Sequence, residues 1–252
     1  MSPVLTQTPG SDKRLDEMNT KNELKELQEQ FLSHVSHEFR SPLTAVKGFM
    51  DLLLRPGEKH SRRHLRYLES MRQGVTRLNR FIDNLMDITT LDSGVIEPML
   101  EMIDLKKAIE TVITAMRDEI SEYRLTIKVN VSDGFCVRAD RELLRKIIFQ
   151  VLSNAIKFTP DGGKIIFRAK MEESRILMSI SDSGVGIPSG DTELVFEKFH
   201  QAETKNKARK TTGAGLGLAI ARKLVELQGG KMWVEKSSSR GTTVAWFLPR
   251  SA

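Results

Sequence analysis

Residues 31–49 read FLSHVSHEFRSPLTAVKGF. Advancing by about 100° per residue, as in an α-helix, gathers Leu24, Leu27, Phe31, Val35, Val46, Met50 and Leu53 on one side. His37 falls nearly opposite them, with Ser33, Arg40, Thr44 and Asp51, and Glu38 is its neighbour in the chain. An imidazole on the polar face beside a carboxylate is equipped to act as a nucleophile or a base. Taken alone, the same pair also describes a solvated surface histidine, so its meaning depends on the rest of the chain. His34 lies on the flank of the apolar stripe, where packing is expected. Pro42 removes an N–H whose helical partner would be the Glu38 carbonyl, so a kink, or a bend point for the histidine face, is expected just past His37.

Working outward, the helical pattern runs from about residue 12 to 54. Leu24, Leu27 and Phe31 step by three and four, a coiled-coil seam entering from upstream. Arg55-Pro56-Gly57 stops it. A second helix follows with Leu65, Leu68, Val75, Leu78, Ile82 and Leu85 at helical spacing, ending near Ser93-Gly94. Two antiparallel helices with stripes this wide cannot bury them alone. Pairing two such hairpins makes a dimeric four-helix bundle, so a homodimer is expected. From Asp104 the pattern changes to a helix (104–121), strands at 125–131 and 134–139, a helix (140–158) and strands at 164–171 and 175–181. A helix at about 215–228 and strands at 231–236 and 241–248 complete it. Strands and helices segregate, which predicts an α+β sandwich of one sheet covered by helices. The expected organisation is a disordered segment or expression remnant at 1–11, a helical hairpin at 12–93, a hinge linker at 94–103 and an α+β domain at 104–250.

Composition bounds the alternatives. The chain has 252 residues, 39% hydrophobic and 29% charged, a globular composition. No apolar run reaches the roughly 18 residues of a membrane span, and no signal peptide is visible. A single cysteine, Cys136, excludes an intrachain disulfide and fits a reducing compartment. The net charge of +6 raises nucleic acid as a partner, but the basic residues concentrate only at 59–66 and 205–210, aromatics are few, and no DNA-reading motif accompanies them. No nucleic-acid partner is expected.

Three constellations occupy the second half. In QVLSNAIKFTPDG (150–162), Asn154 and Lys157 are three apart and share a helix face. An amide oxygen can ligate a hard cation such as Mg²⁺ without adding charge, and a lysine can meet phosphate. In DSGVGIP (182–188), Asp182 can accept a hydrogen bond from an exocyclic amine, while Gly184 and Gly186 allow a ring to approach the backbone. In GAGLGLAIARKL (213–224), a glycine-rich loop runs into a helix whose first N–H groups suit phosphate. Each is weak alone. In this order they describe an adenine nucleotide site. The loop 200–212 carries Lys205, Lys207, Arg209 and Lys210 and reads as a lid over phosphate or as a merely solvated loop.

At this point the chain resembles the cytoplasmic catalytic core of a two-component sensor histidine kinase, over residues 12 to 250. HEFRSPL is similar to the family's H box, SNAIKF to its N box, DSGVGIP to its G1 box, VFEKFHQ (195–201) to its F box and GAGLGL to its G2 box. The resemblance implies a GHKL-type (Bergerat) ATP-binding fold after the hairpin, with ATP and Mg²⁺ as cofactors. It implies that His37 is the phosphoacceptor, Glu38 its general base, Asn154 the Mg²⁺ ligand, Lys157 a phosphate contact and Phe158 a flank of the nucleotide. Asp182 would read the adenine amine, supported by Gly184 and Gly186. Gly213, Gly215, Leu216 and Gly217 would form the phosphate loop and hinge, with Phe196 and Phe199 anchoring the base of the lid. The implied partners are a second copy, a response-regulator receiver domain that takes the phosphoryl group on an aspartate, and an upstream sensor not present in this chain. The implied location is cytoplasmic, alone or as part of a membrane-bound sensor.

Three positions depart from the pattern. Gln150 stands where the N box usually has its first Asn. Ser41 stands where members that dephosphorylate their partner commonly have Thr or Asn; it keeps a hydroxyl on the His37 face and leaves phosphatase chemistry open. Ala214 replaces a usual Thr. Hydrolytic ATPases of the same fold are the alternative enzyme class, but they use a glutamate where this chain has Gln150, which cannot serve as a base. A non-catalytic, ATP-gated dimeric scaffold is the other alternative.

Overall fold

The computed structural model describes Phe39 and residues 42–53, 62–202 and 214–250. The expectations at His37, Glu38, Ser41 and Gly213, the seam at 24–31, any bend between His37 and Pro42, and the basic loop at 203–213 lie outside the described residues. The chain divides into two compact units, Met1–Leu78 and Asn79–Ala252.

The first unit is helical. Residues 42–53 (α1) pair with the start of α2 (Arg62–Asp92). The pairing is antiparallel and close where the side chains are small. A Cβ on Gly74 would lie 3.3 Å from Val46 Cγ2 and 3.4 Å from the Pro42 carbonyl oxygen. One end of the contact is therefore Pro42, which is buried, and Val46 against Gly74. Further along, the Phe49 ring stacks on Tyr67 with centroids 5.5 Å apart. The other apolar side of each helix faces outward. Leu43 and Met50 on α1, and Leu68 and Val75 on α2, are 44–52% exposed and spaced seven residues apart within each helix, which returns a helix to the same face.

The second unit begins inside α2. The break falls between Leu78 and Asn79, so the last turns of α2 fold with the α+β unit and the expected linker at 94–103 lies within it. Phe81 and Ile88, seven apart, are each only 4% exposed, whereas Ile82 and Met86 face outward. Gly94, in left-handed conformation (φ 68°), ends the helix as anticipated from Ser93-Gly94.

The five-stranded sheet has the order β2-β4-β5-β7-β6. It comprises β2 (Thr126–Asn130), β4 (Lys164–Met171), β5 (Arg175–Asp182), β6 (Lys231–Ser238) and β7 (Gly241–Pro249). Only β2 and β4 run parallel, joined through α5 (Arg141–Phe158); the other pairs are antiparallel. Alternate residues of the central strands point into one core: Ile176, Met178 and Ile180 from β5, and Val244, Trp246 and Leu248 from β7. They meet the apolar faces of α5 and of α6 (Gly217–Leu227), with α3 (Leu105–Ala115) packed beside α5. The helical region followed by a helix-covered sheet is the fold class expected from the sequence.

Two local features differ from the sequence reading. β1 (Glu101–Asp104) pairs antiparallel with β3 (Cys136–Ala139), setting Ile103 opposite Val137, both essentially fully buried. Only Ile103 of the four β1 residues is buried, so the strand carries no alternation to recognise. The helix expected at 104–121 is two, α3 and α4 (Arg117–Glu122), broken at the buried Met116.

Asp140 organises the start of α5. Its Oδ1 accepts from the Glu142 and Leu143 N–H groups, both at 3.0 Å, which caps the helix. Its Oδ2 accepts from the Met99 N–H at 2.9 Å, and its own N–H donates to Gln228 Oε1 at 2.8 Å. Replacing Asp140 with Ala removes the cap and the Met99 tie together. The expected loss is about 1–2 kcal/mol for the cap alone, read as a lowered midpoint in urea unfolding of the full chain; an unchanged midpoint contradicts this role.

Candidate functional site

The site is assembled from three chain segments that the core brings to one end of the sheet. The first is the last turn of α5. Leu144, Ile147, Ile148, Val151, Leu152, Ala155 and Ile156 take its buried side. That leaves Asn154 and Lys157, both half-buried, on a shared edge. The Lys157 ammonium lies 4.8 Å from the centre of the Phe158 ring, a cation–π contact. The Asn154 side chain makes no hydrogen bond among the described residues.

The second segment is the turn after β5. Asp182 Oδ1 accepts from the Gly184 N–H (2.8 Å) and the Thr242 N–H (3.1 Å). Oδ2 accepts no hydrogen bond among the described residues, which leaves one oxygen of a fixed carboxylate open to an outside donor. Burial pushes the Asp182 carboxyl above its usual range, and the backbone N–H groups of Gly184, Thr242 and Asp182 itself pull it partly back. The turn closes on the end of α5: the Val185 N–H donates to the Phe158 carbonyl, and a Cβ on Gly184 would come within 2.5 Å of that same oxygen. Only glycine fits there. Gly186 follows at φ 78° against the backbone of β6.

The third segment is the entry to α6. Phe199 adopts φ 65°, a left-handed conformation that costs a residue with a side chain energy, and its N–H donates to the Gly215 carbonyl at 3.0 Å. Gly215 is itself at φ 67°. The Phe199–Gly215 bond thus joins the two flanks of the intervening loop. Nearby Phe196 is buried beneath the Arg222 guanidinium. Leu216, buried, stands at the N-cap of α6 and supplies no side-chain cap, so among the described residues the first N–H groups of α6 have no side-chain acceptor. That is the arrangement that receives a phosphate.

Asn154, Lys157, Phe158, Asp182, Gly184 and Gly186 are thereby tied into one neighbourhood, with Phe199, Gly215, Leu216 and Gly217 forming the third segment. The Mg²⁺ ligand set fits in a limited way. Asn154 offers an uncommitted amide, and no cluster of three or more His, Cys, Asp or Glu able to hold a metal occurs among the described residues. A cation here would take its remaining ligands from phosphate and water.

Two contributors escaped the sequence reading. Thr242 supplies a backbone N–H to Asp182 from 60 residues away, brought there by the pairing of β5 with β7. Gln150 is not aimed at solvent. It is 8% exposed, its Nε2 donates to Asn84 Oδ1 at 2.7 Å, and its Oε1 lies 2.8 Å from where a Cβ on Gly217 would be. The Gly-Thr-Thr that opens β7 was the available signal for the first; for the second, the sequence marked Gln150 as a departure from the N box but gave no sign of its partners.

Comparison with known proteins agrees with this geometry. Residues 139–252 match the family described as histidine kinase-, DNA gyrase B- and HSP90-like ATPases, and residues 27–94 match the His kinase A (phospho-acceptor) domain. The chain is 30% identical to the sensor histidine kinase WalK of Bacillus subtilis over 223 residues, 87% of this chain and 36% of WalK. The chain thus spans about a third of the length of such relatives. Among solved structures, full-length ShkA in complex with AMPPNP is 26% identical with a TM-score of 0.64, over 88% of this chain and 46% of that one. Histidine kinase ThkA, solved with the response regulator TrrA, shares the fold at 21% identity with a TM-score of 0.68, over 98% of this chain and 69% of that one. With both family domains in order, the chain belongs to the sensor histidine kinases and carries their catalytic core.

Proposed function

We propose that this chain transfers the γ-phosphoryl group of ATP to His37 and passes it on to an aspartate of a response-regulator receiver domain. The observation that carries the reading is the Asp182 carboxylate. One oxygen is held by two backbone N–H groups and the other is open, beside the end of α5 that bears Asn154 and Lys157. An open acceptor at the base of such a site selects an exocyclic amine, as on adenine, over a carbonyl.

The residues then divide the work. Asp182 fixes the base, with Gly184, Gly186 and Phe158 shaping its slot. Lys157 and the start of α6, through Gly213, Gly215, Leu216 and Gly217, meet the phosphates. Asn154 would hold Mg²⁺ together with phosphate oxygens, and the ion would supply charge neutralisation at the phosphates. The unprotonated ring nitrogen of His37 attacks the γ-phosphorus, the bond to the β-bridging oxygen breaks, and ADP leaves. Glu38 takes the proton from the other ring nitrogen. Catalysis of this kind rests on positioning and charge stabilisation. Ser41, by its place in the H box, would orient water if the chain also dephosphorylates its regulator.

The exposed heptad positions Leu43, Met50, Leu68 and Val75 support a homodimer through the hairpin, since leaving them in water forfeits their burial. Among the described residues no helix is long and apolar enough to cross a membrane. With the single cysteine and the ATP requirement, this supports a cytoplasmic location for the core. The hydrolase reading is disfavoured because Gln150 is no base and its amide is committed to Asn84.

Incubation with γ-labelled ATP and Mg²⁺ is expected to give an acid-labile, base-stable label that His37→Gln abolishes; free phosphate without labelled protein overturns the kinase reading. Asp182→Asn is expected to weaken AMPPNP binding by roughly tenfold or more, because a bidentate-capable acceptor becomes part donor. The same variant should leave the thermal midpoint of the free protein unchanged or higher at neutral pH. The sign follows from linkage. A carboxyl raised in the fold favours folding below its unfolded pKa, and that contribution is lost as pH rises through the raised value, so the ionised group is a burden at neutral pH. A midpoint that falls sharply contradicts it. Leu68→Glu with Val75→Glu is expected to convert a dimer into a monomer by light scattering; a wild-type monomer excludes the homodimer.

A further inference from the structure

The last turns of α2 grip the entry to α6 through a polar side chain that the nucleotide chemistry does not use. Gln150 sits in the middle of α5 with its amide almost sealed from water. On one side its Nε2 donates to Asn84 of α2. On the other its Oε1 rests against Gly217, the first residue of α6, closer than a Cβ there would allow. A buried amide that loses its acceptor must find another or move.

The remaining contacts of α2 with this unit are of a different kind. Asp87 pairs with Lys146 at 2.5 Å, Arg80 with Glu119, and Asp92 with both Lys198 and Lys223. All are partly exposed, so each is weak and screened by salt. Lys198 precedes Phe199, whose N–H holds Gly215, so Asp92 reaches the other flank of the same turn. The two Lys contacts hold the Asp92 carboxyl below its usual range, the bond from Lys198 most strongly and that from Lys223 next. Phe81 and Ile88 supply apolar burial. Among the described contacts of the α2 tail, the part-buried Asn84–Gln150 bond joins the tail to the side chain that rests against Gly217.

We propose that Gln150 is a positioning residue that couples docking of the α2 tail (79–92) to the glycine turn 214–217, so that nucleotide affinity depends on the Asn84–Gln150 bond. This rests on the nucleotide reading of the site. The docked tail sets Gln150, Gln150 sets Gly217, and Gly217 sets the N–H groups at the start of α6. Coupling of this sort is reciprocal: nucleotide bound at the turn must in turn strengthen docking of the tail. The departure at Gln150 from the usual N-box residue then has a physical purpose. Its extra methylene, relative to Asn, gives the amide the reach to span α2 and α6 at once.

The test uses the full chain with Mg²⁺ and AMPPNP, and reads both calorimetric Kd and amide-hydrogen exchange of residues 79–92. Asn84→Ala and Gln150→Asn are each expected to raise Kd by roughly fivefold or more and to abolish the protection that AMPPNP gives the α2 tail. Asn84→Asp keeps an oxygen to accept from Gln150 and is expected to restore both readouts to within about twofold of wild type, which a merely structural role does not require. Unchanged Kd and unchanged nucleotide-dependent protection in Asn84→Ala and Gln150→Asn overturn the coupling, whatever happens to the thermal midpoint. So does an Asn84→Asp variant that behaves like Asn84→Ala. Wild-type protein that fails to bind AMPPNP, or that binds no better than Asp182→Asn, overturns the nucleotide reading itself and the coupling with it.

Discussion

The Asp140 carboxylate is the tie on which the second unit depends. It caps α5 with one oxygen and holds the Met99 N–H with the other, while its own N–H reaches Gln228 at the end of α6. One residue thus sets where α5 starts and how the approach to β1 and the end of α6 sit beside it. Because α5 is a rigid helix, fixing its first turn also fixes its last, where Asn154, Lys157 and Phe158 stand. The turn at 182–186 then packs on the Phe158 carbonyl, and β7 delivers Thr242 to Asp182. The candidate-site residues are loop residues in part, but they are held by helix and strand ends, the geometry that gives a site its precision.

Asp182 shows how function and stability pull apart at one carboxyl. Burial raises it, and two backbone N–H groups offset part of that cost on one oxygen only. Satisfying the second oxygen within the fold would stabilise the free protein and close the site. Leaving it open stores the missing hydrogen bond for a ligand. Phe199 makes a similar trade in backbone terms, holding a left-handed conformation so that its N–H can meet Gly215.

Helix α2 faces two ways, and this explains a mismatch between apolar pattern and burial. Leu68, Val75 and Ile82 belong to a stripe read from spacing as too wide for a single hairpin to bury. In the single chain they are exposed, and Phe81 and Ile88 on a different face are buried instead. Periodicity reports that a residue is apolar and which neighbours share its face. It does not report whether that face meets its own chain or another. The strand β1 escaped for a related reason: a single buried side chain in four residues leaves no period.

By itself the sequence determined the order and type of nearly every described element, and the motif residues at 154–158, 182–186 and 214–217. Those are properties of local spacing, where hydrophobic period, caps and glycines act over a few residues. Tertiary structure alone decided which oxygen of Asp182 is open, that Thr242 serves it, and that Gln150 answers to Asn84 and Gly217. These rest on contacts 60 and 66 residues apart in the chain. No local pattern encodes such pairs, because they exist only once β5 lies beside β7 and α2 lies across α5.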